Sequence, residues 1–226
     1  SGVIAALSTY LEALASKPVA RVIIIASTGK AFSTGHDLKE MRDRPEKVYY
    51  QDLFRRCSQV MMTMVQLPQP VNAQVHGMAT AAGCQLVANS DLAVASTAAR
   101  FAVSGINLGL FCSTPSVPLS RNVSRKRAFE MLMTGRFIDA QTAVDFGLIN
   151  QVVAPEDLDA AVTALAQPVV MIRPSTRCWD IFTVRSTIRV NRRNKVTRSA
   201  CNRDQGGYFA KLAPSLQMAI YCQRPK

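Results

Sequence analysis

The chain has 226 residues, 48% of them hydrophobic, and carries 27 Lys and Arg against 15 Asp and Glu for a net charge of +12. That length suits one large domain, or a core with a small appendage. No run approaches the roughly 18 apolar residues of a membrane helix, the six cysteines show no CxxC spacing, and there are only two histidines, which argues against a membrane span and a zinc site.

The opening stretch, SGVIAALSTYLEALAS, has no basic n-region and no cleavage-like end. It reads as an amphipathic helix, with Ile4, Leu7, Leu11 and Leu14 at helical spacing, and not as a secretory signal. The cysteines are accordingly expected as free thiols in a reducing compartment. ARVIIIAS (20–27) is a continuous β-branched run, the pattern of a strand buried on both faces. A polar loop with Gly29 and Gly35 follows. Residues 46–67 have helical periodicity, stopped by Pro68 and Pro70. PVNAQVHG (70–77) is a second strand, TAAGCQLVANS (80–90) a short buried helix, and DLAVAS (91–96) and ARFAV (99–103) are further strands.

SRKRAFEMLMTG (124–135) reads as a helix with Gly135 as C-terminal cap. DAQTAVDFG (139–147) reads as another, capped by Asp139 and ended at Gly147. LINQVV (148–153) returns as a strand. Pro155 opens a last helix with Glu156 and Asp157 in its first turn. Strands alternating with helices predict an α/β layered fold. No internal repeat is visible.

Charge divides the chain near Gln167. Residues 1–166 hold 15 Lys and Arg against 13 Asp and Glu, whereas residues 167–226 hold 12 against 2. We therefore divide the chain into a core (1–153), the start of a C-terminal helical region (154–166) and a basic tail (167–226). The tail keeps no steady period of 2 or 3.6 and is enriched in Arg, Cys and Ser. It reads either as a divergent basic tail or as the product of a shifted reading frame or wrongly joined exon. Its charge would suit phosphate contacts, but it has no zinc spacing, aromatic RNA-binding motif or repeat, so nucleic acid is not an expected partner.

Two loops share one design. GKAFSTGHDLKEM (29–41) and MATAAGCQL (78–86) each place a small-residue turn after a strand, where open α/β sheets bind ligands. In the second, the amides of Ala82 and Gly83 stand at a helix start, a place of partial positive charge. Two amides converging on one carbonyl make an oxyanion hole.

The stretches RVIIIASTGKAFSTGHDLKEM, PQPVNAQVHGMATAAGCQLVANSDLAVAS, RFAVSGINLGL and RKRAFEMLMTGRFIDAQTAVDFGLINQVV span residues 20–153. In that order they resemble the crotonase (enoyl-CoA hydratase/isomerase) superfamily. The resemblance implies a spiral of ββα units, acyl-CoA thioesters as ligand or substrate, no covalently bound cofactor, a homotrimer, and a place in fatty-acid metabolism. It implies the mitochondrial matrix for a eukaryotic member and the cytoplasm for a bacterial one. Carried over residue by residue, the oxyanion hole is the backbone N–H of His36 and of Ala82. Ala31, Phe32, Gly35, Asp37, Leu38 and Lys39 line the coenzyme A path, Lys39 meets phosphate, and Gly83 permits close packing beside the carbonyl. The resemblance also implies a strand hairpin before the first helix and closing amphipathic helices. Neither pattern is found in this sequence.

The sequence departs from the family where hydration is performed. The two glutamates that handle water and the α-proton fall at Gln85 and Gly105. Gln85 cannot accept a proton at ordinary pH, and Gly105 has no side chain. Each positioned acid or base contributes roughly 100- to 10,000-fold, so standard hydration is expected to be crippled while the carbonyl-polarising site survives. Three readings stay open: an enzyme of another enolate-forming reaction, a non-catalytic CoA-ester binder or trimer partner, and an incomplete chain with uncovered apolar surface. STGHDL and INLGL are similar to methylmalonyl-CoA decarboxylases, whose tyrosine falls here at Cys112, a residue expected to face the pocket. His76, Cys84, Asp91 and the Met61, Met62, Met64 cluster read as structural, and Arg125–Arg127 as a solvated helix face.

Overall fold

The computed structural model describes residues 2–15, 20–171, 207–211 and 218–223. Helix α1 (Gly2–Ala15) buries Leu7, Leu11 and Leu14 along one stripe, as their spacing predicts. Strand β1 (Ile23–Ser27) is buried through Ala26, on both faces. The segment read as a loop over 29–41 contains two elements. Strand β2 (Ala31–Ser33) is too short to show alternation, and helix α2 (Leu38–Asp43) has no buried residue and so no apolar stripe. Helix α3 (Lys47–Gln66) ends before Pro68, as predicted.

Each further pass of the chain gives one strand to each of two sheets. Strands β3 (Val71–Val75) and β4 (Met78–Thr80) precede helix α4 (Ala82–Ala88). Strands β5 (Leu92–Ser96) and β6 (Arg100–Ala102) lead through a 3₁₀ turn at Ser104–Leu108 into helices α5 (Ser113–Asn122) and α6 (Arg125–Thr134). Strand β7 (Ile138–Asp139), helix α7 (Ala140–Asp145) and strand β8 (Gln151–Val153) complete the spiral. Asp139 caps α7 by accepting from the Thr142 amide, and Gly135 ends α6 in the left-handed conformation, both as read from the sequence. Helix α8 (Leu158–Met171) runs past the compositional boundary at Gln167.

The first sheet has the order β8-β5-β3-β1-β10-β9, and the second β2-β4-β6-β7. Strands β8, β5, β3 and β1 are parallel, as are β2, β4 and β6. The tail, read without periodicity, contributes β9 (Gly207–Lys211) and β10 (Met218–Gln223), and β10 runs antiparallel along the edge of β1 from Ile23↔Cys222 to Ser27↔Met218. The rest of the tail, where the frame-shift and nucleic-acid readings largely fall, lies outside the described residues. Among the described residues no helix is long and apolar enough to cross a membrane.

The main core lies between the sheets and α1, α3, α4 and α6, with Phe101 and Leu11 fully buried in it. A smaller core seats Leu158, Val162 and Ala166 of α8 against Val22, Ile24 and Val94. Asp91 accepts from the Val71 amide at 2.7 Å and Asn150 from the Ala93 amide at 2.8 Å, so side chains at strand ends hold the register of the first sheet. Phe101 is the largest fully buried side chain on the β6 strand. Phe101→Ala is expected to lower unfolding stability by about 3–5 kcal/mol, read as a fall in urea midpoint at unchanged m-value. A loss under about 1 kcal/mol would contradict its place in the core.

Candidate functional site

The sheet topology brings the two small-residue loops together. Strands β2 and β4 are parallel neighbours, so the turns that leave their carboxyl ends emerge side by side. The Thr80 hydroxyl donates to the Thr34 carbonyl at 3.2 Å and ties one turn to the other. Gly35 adopts φ +91°, and a methyl group there would sit 3.1 Å from Ala81 Cβ and 3.4 Å from Ala82 N. Gly83 is closer still. A side chain there would strike the Ser33 carbonyl oxygen and lie 2.7 Å from both the Ser33 carbonyl carbon and its Cβ. Glycine at 83 is thus the condition for α4 to start against β2.

Ala81, the residue before α4, has φ +49° and ψ −117°. A non-glycine residue in that region costs on the order of 1–3 kcal/mol and persists only where its surroundings enforce it. Here the Ala81 amide donates to the Ala102 carbonyl at 3.1 Å and ties this residue to the end of β6. Ala82 is the first residue of α4 and has no intrahelical acceptor. Neither the Ala82 nor the His36 amide donates to another group among the described residues.

His36 and Ala82 both line a cleft of about 470 Å³ between α1, α3, α4 and the β2 loop. Leu7, Leu53, Cys57, Val60, Met61 and Leu86 form its apolar wall, and Asp37, Glu40 and Tyr49 its polar lip. Asp37 is committed to capping α2, its Oδ1 accepting from the Lys39 and Glu40 amides at 2.9 and 3.1 Å. The His36 ring stands edge-on to Phe54, centroids 5.3 Å apart, and burial holds its pKa below the ordinary 6.5. The imidazole is therefore neutral at neutral pH. The Tyr49 hydroxyl oxygen is buried without an ideally placed partner. Desolvation and the neighbouring Glu40 carboxylate raise its pKa and keep the phenol protonated.

Of the residues singled out in the sequence, Phe32, Gly35, His36, Asp37 and Ala82 line this cleft. Ala31, Leu38 and Lys39 flank it without lining it, Leu38 and Lys39 being exposed. Gly83 acts from behind, through Ser33. Gln85 is buried on α4 with its Oε1 unpartnered. Gly105 lies in the 3₁₀ turn, where any side chain would strike the Cys112 sulfur and come within 2.8 Å of the Leu110 carbonyl oxygen. Cys112, expected at the pocket, packs onto Gly105 and is not among the residues lining the cleft. Cys84 is an inert core thiol, its pKa pushed up to about 12 by burial. His76 lies with Nε2 2.9 Å from the Gly29 carbonyl oxygen, and Met61 joins the cleft wall while Met64 stays in the core. Glu40 lies in the segment 31–41 expected along the coenzyme A path, whereas Tyr49, Leu53, Val60 and Leu86 line the cleft without having been singled out. Tyr49, Leu53, Cys57 and Met61 recur every four residues along α3, a signal that marks a helix face but not the cavity it borders.

The chain matches the family model described as enoyl-CoA hydratase/isomerase over residues 1–193. It is 52% identical over 149 residues to mouse (Mus musculus) enoyl-CoA hydratase domain-containing protein 3, mitochondrial, covering 66% of this chain and 50% of that protein. The human (Homo sapiens) protein of the same name is 47% identical over 163 residues, with 69% and 54% covered. The chain thus spans about half the length of the curated relatives it matches. Among solved structures, an enoyl-CoA hydratase of Mycobacterium smegmatis superposes with TM-score 0.72 at 57% identity, covering 74% of this chain and 65% of that one. Human enoyl coenzyme A hydratase domain-containing protein 3 superposes with TM-score 0.72 at 44% identity, covering 76% and 68%.

Two outcomes follow from this geometry. Gly83→Ala must separate α4 from β2, and is expected to lower the melting midpoint by several degrees; an unchanged midpoint would mean that the close approach to Ser33 is absent. Because burial lowers the His36 pKa, the unfolded state binds its proton more tightly, so the contribution of neutral His36 is present above about pH 6.5 and lost as pH falls below it. Melts of wild type and His36→Gln should therefore diverge less at pH 5 than at pH 7.5.

Proposed function

The chain belongs to the enoyl-CoA hydratase/isomerase family, and from that premise we propose that it binds acyl-CoA thioesters and polarises their carbonyl, without performing standard hydration. The observation that carries this is that His36 and Ala82, whose main-chain amides have no acceptor among the described residues, line one cleft with an apolar wall. An acyl chain lies along Leu53, Val60, Met61 and Leu86 while the thioester oxygen sits between the amides. In such a water-poor site fixed dipoles stabilise an enolate oxygen far more than they do in water. We further propose a role in fatty-acid metabolism and, since the mouse and human relatives are named mitochondrial, a place in the mitochondrial matrix.

Standard hydration needs two carboxylates, and the residues at those positions argue against it. Gln85 offers an amide. The Cys112 sulfur and Leu110 carbonyl fill the volume that a side chain at Gly105 would need. Enolate-forming reactions that need the oxyanion hole more than two acids fit these residues better than hydration does. Decarboxylation of a malonyl-type thioester is one, because loss of CO2 itself supplies the electron pair.

Saturating acyl-CoA is expected to raise the melting midpoint, by the equivalent of about 2.7 kcal/mol when ligand is at 100 times its Kd. No shift with any CoA ester would overturn the reading. Proline is tolerated at the first position of a helix and removes the amide hydrogen, while its ring also restricts the preceding Ala81. Ala82→Pro should cost about 100- to 1000-fold in turnover of the thioester that the chain transforms, with the apo melt as control for folding. Gln85→Glu should restore almost no crotonyl-CoA hydration, read by loss of the enoyl thioester absorbance. A large gain from that single change would contradict the pairing of the two positions.

A further inference from the structure

Strand β3 lies inside the first sheet, between β1 and β5. Its side chains alternate between two faces. Val71, Ala73 and Val75 face the main core. Asn72 and Gln74 take the opposite face, Asn72 in register with Ile24 and Gln74 with Val94, both residues of the smaller core. Helix α8 covers that face, lying against β3 and β5. A parallel strand covered on both faces is ordinarily apolar throughout, so two amides beneath a helix are a departure. Asn72 is 1% exposed, and neither its Oδ1 nor its Nδ2 has a hydrogen-bond partner among the described residues. Gln74 is held at the edge of the cover, where its Nε2 donates to Asp159 in the first turn of α8. The apolar grip of α8 on this face is one stripe, Leu158, Val162 and Ala166, at four-residue spacing. A buried amide without a partner is destabilising, and the cost is relieved as soon as water reaches it.

We propose that α8 is a detachable strap, which lifts as a unit from the outer face of the first sheet while the sheet and the main core stay folded. Lifting breaks the Gln74–Asp159 contact and exposes the stripe of Leu158, Val162 and Ala166. It also brings the Asn72 amide to water, which offsets part of that loss. Elements with few buried apolar contacts open ahead of the rest of a fold, and α8 joins only the smaller core. None of the residues lining the cleft belongs to that smaller core, so the strap opens without disturbing the cleft. Asn72 is the residue that sets how readily it opens.

The test is amide hydrogen exchange of the full chain, read by mass spectrometry over a series of low urea concentrations. Peptides from 158–166 report α8, and peptides from 47–66 report α3, whose buried face lies in the main core. In wild type α8 is expected to exchange about tenfold or more faster than α3, with a weaker dependence on urea because its opening exposes less surface. Asn72→Leu keeps the branched shape of the side chain and removes both polar atoms. It should slow exchange of α8 about tenfold or more, with a melting midpoint equal to wild type or higher. Asn72→Val, a second apolar residue suited to a strand, should act in the same direction. A wild type in which α8 and α3 exchange together, with one urea dependence, overturns the proposal. Exchange of α8 that is unchanged or faster in both variants overturns it as well, because the amide would then not be what loosens the strap.

Discussion

The site depends on the contact between Gly83 and the Ser33 backbone. Parallel pairing of β2 with β4 places the two turns at one end of the second sheet, but pairing alone leaves their approach unspecified. With no Cβ at 83, the first turn of α4 presses against the last residue of β2, and the two turns close to van der Waals distance across Gly35 and Ala82 N. The strained Ala81 dihedrals follow from the same constraint, because the chain must reverse direction between Thr80 and Ala82 while still donating to Ala102. Strain at that residue is repaid by packing elsewhere, the usual arrangement at sites that must hold a backbone group in one orientation.

A site built from main-chain amides has chemical consequences. Amides do not titrate near neutral pH, so on the proposed reading carbonyl polarisation in this cleft depends on geometry and on the exclusion of water. Around it lie a neutral His36, a protonated Tyr49 and the side chains of Asp37 and Glu40. On the proposed reading the site separates into the amide pair and the side chains around it. At Gln85 and Gly105 the site differs from a hydratase, and the Cys112 sulfur lying on Gly105 makes the difference steric as well as chemical. Fold does not fix reaction, and on the proposed reading the side chains around the amide pair decide it.

Much of this was legible in the sequence. The run at 22–26 is apolar at every position because β1 is covered on both sides, and residue type alone reports that. Asp139 and Gly135 announce helix ends by local chemistry, whereas the expectation for His36 and Ala82 came from the family resemblance. The rest is hidden for physical reasons. Strands β2 and β4 have three residues each, too few for a period of 2 to register. Helix α5 contains Pro115 and Pro118, which argue against a helix from sequence, yet both are buried in its first turns. Glu40 and Tyr49 face each other from different helices, and no periodicity within one helix reports its neighbour across a cleft. The pairing of β10 with β1 is likewise a contact between opposite ends of the chain.

The most direct measurement of the amide pair is the vibration of the bound carbonyl. An acyl-CoA labelled with 13C at the thioester carbon would be followed by isotope-edited infrared difference spectroscopy, free and bound. Two converging N–H donors weaken the carbonyl bond, so the account predicts a clear shift of its stretch to lower frequency on binding, reduced in Ala82→Pro. A carbonyl band that stays at its free position in the saturated complex would contradict it.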